Sequence, residues 1–105
     1  MTQHEYDEVA LALRLKAEEI ADAKRPAYTL GSEDVLANFK NTGDRLDITA
    51  MQAWGAHFLK HIDALTTLAK NPELPQAEAV QGRFADAMNY LALGYALHVE
   101  RMATT

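Results

Sequence analysis

The segment 78–93, EAVQGRFADAMNYLAL, puts a carboxylate where a charge is costly. At about 100° per residue, Arg83, Asp86, Tyr90, Leu93 and Leu97 share one sector of a helix roughly 80° wide. A second sector carries Val80, Phe84, Ala87, Leu91, Tyr95 and Met102. Two apolar sectors imply a helix packed on more than one side. Asp86 on such a helix must be met by a cation, a metal ion or hydrogen-bond donors. Asn89, at i+3, can converge with it on one ligand. Arg83, at i−3, can instead close an intrahelical ion pair, and Glu78 can serve as a capping acid. Upstream, His57 and His61 are spaced i, i+4, as in helical metal sites, but no third ligand lies locally on their face. They read first as half-packed boundary histidines, then as phosphate contacts, and last as metal ligands. Lys60 beside them is a solvated lysine, or a point charge for a phosphate at a pocket rim.

These residues need helices to position them, and the periodicity predicts four helices and no strand. The first is expected over about Glu5–Lys24, with Val9, Leu13, Ala17 and Ile20 as its main stripe and Pro26 as its stop. Leu11 and Leu15 point the opposite way, which marks either a contact within the monomer or a self-association surface. A short helix over Glu33–Asn41 is expected to start at Ser32 and end at Gly43. The third helix, capped by Asp47 or Thr49, runs to about Lys70 with Met51, Trp54, Phe58, Ile62 and Leu65 as its stripe. Asn71-Pro72 ends it, and the fourth runs over about Ala77–Met102. Short connections between long helices favour an antiparallel bundle of three long helices plus one short helix, in a single domain over residues 1–105.

Composition narrows the function classes. The chain has 105 residues, 49% of them hydrophobic, which suits one domain with a real core. It has no cysteine, so thiol nucleophiles and disulfides are excluded, and a reducing cytoplasm is the expected setting. Its amino terminus is acidic where a signal peptide is basic, and no apolar run reaches membrane-spanning length. The net charge of −5, with scattered basic residues, argues against duplex nucleic acid as a partner. An acidic protein that handles phosphates ordinarily uses a divalent cation as mediator. The acidic run Glu18-Glu19-Ile20-Ala21-Asp22 lacks a matching acid cluster downstream and reads as a solvated face.

The order Lys24-x-x-x-Tyr28, Asn38-Phe39-Lys40, Trp54, Lys60-His61 and Glu78-x-x-x-Gly82-Arg83-x-x-Asp86-x-x-Asn89-Tyr90 resembles a family of small all-α domains of phages and bacteria. It is the nucleotide-modification-associated domain, type 1, distantly similar to the MazG-type pyrophosphohydrolases. The resemblance spans about Lys24 to Leu97. It implies a nucleoside phosphate held between helices, with Asn38, Lys40, Lys60, His61, Glu78, Arg83, Asp86 and Asn89 as pocket residues. In an enzymatic form, Asp86 with Glu78 or an acid of the first helix holds Mg²⁺ on the phosphates, Lys40, Lys60 and Arg83 neutralise them, and Tyr28 or Trp54 stacks the base. Ala27 and Gln81 stand where family members tend to carry acids, which weakens hydrolysis relative to binding. The alternative is a non-enzymatic phage-type module that captures a nucleotide signal or a host protein in the host cytoplasm. A homodimer or higher homo-oligomer is expected in either case.

Overall fold

The computed structural model describes residues 1–76 and 79–103. Among these residues there are four α-helices and no strand: α1 (Gln3–Thr29), α2 (Ala37–Leu46), α3 (Ala50–Lys70) and α4 (Val80–Ala103). The all-α class agrees with the periodicity, while several helix ends differ from expectation for local reasons.

Helix α1 opens on a capping box. The Thr2 hydroxyl accepts from the Glu5 amide, and the Glu5 carboxylate accepts from the Thr2 amide. The helix does not stop before Pro26; it continues through it to Thr29. A proline inside a helix forfeits one backbone hydrogen bond and costs about 3 kcal/mol. Tertiary contacts offset this. The Tyr28 ring stacks on Phe39 at a centroid distance of 6.3 Å and meets Tyr90 edge-on at 6.2 Å. Thr29 is buried and donates its hydroxyl to the Pro26 carbonyl. Leu30 then closes the helix in the left-handed conformation, its amide donating to Pro26.

The short helix begins at Ala37 rather than Glu33, because Ser32 and Asp34 spend their side chains on the preceding turn. Ser32 accepts from the Asp34 amide and Asp34 from the Leu36 amide. Gly43 does not end this helix. It lies buried within α2, and a Cβ there would sit 2.8 Å from the Ile48 carbonyl oxygen. The glycine therefore lets the α2–α3 connection fold back onto α2, and the left-handed residue Asp47 supplies the stop. Thr49, with Gln52 completing a second capping box, starts α3 as expected.

Helix α4 is the spine. On one side α3 runs against it in the opposite direction, with Trp54 beneath Gly94 and His61 beside Tyr90. On the other side α1 follows it in the same direction: Val9 and Leu13 lie by Val80 and Phe84, and Ala21 by Leu93. Among the described residues α1 and α3 do not approach each other, and α2 bridges them. Buried Leu36, Phe39 and Leu97 form the core, with Met51, Trp54, Tyr90 and Leu93 packed around it.

Candidate functional site

Asp86 faces the side of α4 that α1 covers, and α1 answers it. Lys24 Nζ lies 3.0 Å from Asp86 Oδ1. The acid is buried at 6% exposure, whereas the lysine side chain keeps 47% of its surface in solvent. The lysine therefore brings charge to a buried group while its own desolvation cost stays small. No Arg83–Asp86 ion pair forms among the described residues. Arg83 instead turns its Nε inward, buried and without a hydrogen-bond partner there.

One turn along α4, Asn89 Nδ2 donates to the Ala17 carbonyl at 2.8 Å. That bond ties α4 to the backbone of α1 and fixes the side-chain amide at the edge of an open cavity. The cavity has a volume of about 210 Å³ and is walled by Arg25, Tyr28, Val35, Asn89 and Leu93, with Ala21 and Ala92 at its sides. Burial pushes the Tyr28 phenol above the ordinary tyrosine range, helped by the adjacent Tyr90 side chain and the Asp86 charge. Tyr28 is thus a neutral hydrogen-bonding group with a ring face on the cavity. Arg25 stands at the rim, 3.2 Å from exposed Asp22.

The structure does not gather all the expected pocket residues here. Lys40 is held by two carboxylates, Asp34 at 2.6 Å and Glu100 at 2.7 Å. Its hydrogen bonds to both raise it above the ordinary lysine range, and Lys40 with the Leu36 amide holds Asp34 below the usual carboxylate range. It fastens the turn before α2 to the C-terminal end of α4. Trp54 donates its indole N–H to the Tyr90 carbonyl at 2.7 Å and stacks on Phe58 at 5.0 Å. Its other edge fills the space opposite Gly94, where a Cβ would come within 2.4 Å of the ring. The indole is therefore a packing element rather than a platform on the cavity. His57 sits against Phe39 and Tyr90, and His61 lies 4.4 Å from the Tyr90 ring. Asn38 is half-buried on α2 and Lys60 is exposed on α3, both away from the cavity lining. Glu78 lies outside the described residues. Among the described residues, no three histidines or carboxylates lie close enough to hold a metal ion.

No family model, curated protein or solved structure matches this chain. What the site can do must therefore come from its own groups. Spacing alone does not mark three of them as site residues: Lys24, Arg25 and Tyr90. Lys24 and Tyr28 are an i, i+4 pair on one helix face, a signal visible only when α1 continues through Pro26. Together the groups offer an aromatic face, a fixed amide and a rim guanidinium beside a neutralised acid. Such a set has the chemistry to receive a planar polar group. Among the described residues, the carboxylates beside it, Asp86 and the exposed Asp22, are each already ion-paired.

Proposed function

We propose that this chain binds a molecule of the nucleotide class in the cleft between α1 and α4, without turning it over. The observation that carries this reading is the buried Asp86, answered across the helix interface by Lys24, with Arg25, Tyr28 and Asn89 of the same two helices lining an open cavity. Tyr28 offers its ring to a base, Asn89 its spare amide oxygen to a base edge, and Arg25 its guanidinium to a phosphate at the mouth. The cavity of about 210 Å³ matches a base-sized ring, with sugar and phosphates left at the rim. Ligand pockets that engulf a whole drug-sized molecule are larger, about 300–1,000 Å³. The resemblance to nucleotide-modification-associated domains supports the same ligand class. Hydrolysis with Mg²⁺ on Asp86 and Glu78 fits less well, because the one described acid already has an ammonium partner.

The test is titration calorimetry against a panel of nucleosides and their mono- and triphosphates, with and without Mg²⁺, alongside a phosphate-release assay. Binding is expected without product, weakened at least tenfold in Tyr28→Ala and unchanged in Lys60→Ala. Absence of heat with every compound overturns the reading. Phosphate release that Asp86→Ala abolishes establishes the hydrolytic alternative instead. The interaction-module alternative draws support from a different observation, the largely exposed apolar side of α4.

A further inference from the structure

Helix α4 has an apolar face that stays largely exposed in the fold. Val80, Phe84, Met88, Leu91, Tyr95, Val99 and Met102 lie within one sector of the helix roughly 100° wide. No charged residue falls in that sector. Phe84 is 44% exposed, Leu91 56%, Tyr95 70% and Met102 58%. Helices α1 and α3 flank α4 on either side, and α2 with the core closes the side opposite this face. Where α1 meets the start of the stripe, Val9 and Leu13 join Val80 and Phe84 in a groove of about 450 Å³.

We infer that this face seats a second copy of the chain, with the two α4 helices crossing antiparallel about a two-fold axis between Leu91 and Tyr95. The exposed surface supports this occupant. Val80, Phe84, Leu91, Tyr95, Val99 and Met102 keep 41–70% of their surface in solvent, a contiguous apolar patch of the kind that marks an interaction surface. The pattern supports it too. Along this face, positions 84, 88, 91, 95, 98 and 102 are spaced 4, 3, 4, 3, 4, and the fifth of them is the exposed His98. That spacing reads the same in both directions, so an antiparallel copy sets Phe84 against Met102, Met88 against His98 and Leu91 against Tyr95. Every apolar position then meets another apolar one, except Met88, which meets His98. Antiparallel packing also opposes the two helix dipoles. The α4–α4 contact is separate from the exposed Leu11 and Leu15 of α1, which lie on the far side of that helix.

Light scattering across about 5–200 μM protein tests this directly. Wild type is expected at twice the chain mass, and Leu91→Glu/Tyr95→Glu at the chain mass with unchanged helical circular dichroism. Register is read by cross-linking, which the absence of native cysteine makes unambiguous. A mixture of Leu91→Cys and Tyr95→Cys chains should form the mixed disulfide, whereas either alone should not. A monomeric wild type over the whole range overturns the proposal, whether or not some other protein binds the face. A dimer that survives the double substitution overturns it as well, and self-cross-linking of each single variant overturns the antiparallel arrangement.

Discussion

The Lys24–Asp86 pair makes an asymmetric prediction. Replacing Lys24 with Met leaves Asp86 at 6% exposure with its charge unanswered. Breaking a fully buried pair from one side costs about 3–5 kcal/mol. Here the ammonium is 47% exposed, so water reaches the site and the expected cost falls to about 2–3 kcal/mol. Replacing Asp86 with Ala strands nothing comparable, because the half-exposed lysine swings into solvent. That change loses a small side chain and one ionic hydrogen bond, about 1 kcal/mol. In the double variant the stranded acid is gone, so its stability should equal that of Asp86→Ala within about 0.5 kcal/mol. The coupling energy is then about 2 kcal/mol and stabilising. Urea unfolding of the four proteins, followed by circular dichroism, measures the cycle. The reasoning fails if Asp86→Ala costs more than Lys24→Met, or if the two single effects simply add. Either result means that the acid is held by something other than α1.

Two further consequences concern the frame around the site. Gly94→Ala gains helix propensity of about 1 kcal/mol, yet its Cβ would lie 2.4 Å from the Trp54 ring, so a net loss of about 1–3 kcal/mol is expected. A melt in which Gly94→Ala is the more stable protein refutes this. The Lys40 tie gives a pH dependence with two limbs. Asp34 is depressed, so its contribution is present above the ordinary carboxylate range and lost as pH falls through its folded value. Lys40 is raised, so its contribution is present below the ordinary lysine range and lost as pH rises through its folded value. These side chains are more than a third exposed, which limits the tie to about 1 kcal/mol. The stability gap between wild type and Lys40→Met should be widest between about pH 5 and 9 and close toward both extremes. A gap independent of pH contradicts the assignment.

The sequence made the helices legible because each carries a long apolar period, and it made Asp86 legible because a lone charge breaks that period. What it concealed depended on neighbours. Pro26 reads as a stop by every local rule, and only the burial of Tyr28 and Thr29 against α2 and α4 keeps the helix going. Gly43 reads as a helix end, yet its smallness serves the approach of the α2–α3 connection. Lys40 and Trp54 have the right chemistry for a ligand site, but Asp34 and Glu100 claim the first, and Gly94 with Tyr90 claims the second. A helical wheel gives the direction of a side chain and says nothing about which helix stands there. For that reason the periodicity alone does not name Lys24 as the partner of Asp86, although Lys24 and Tyr28 are spaced i, i+4.

The same limit explains the two apolar sectors of α4. Both were visible in the periodicity, and both implied a packed neighbour. One sector, around Leu93 and Leu97, found its neighbours within the chain. The other, around Leu91 and Tyr95, stays largely exposed. Asp86 and Tyr95 lie nearly half a turn apart around α4, so the cleft and the bare face look in opposite directions. Pairing through the bare face therefore leaves both clefts open on the outside of the dimer. It follows that Leu91→Glu/Tyr95→Glu should abolish pairing while nucleotide affinity changes less than twofold. A parallel loss of both would mean that α4 transmits order across its own width, and that the cleft takes its shape only once the second copy is in place.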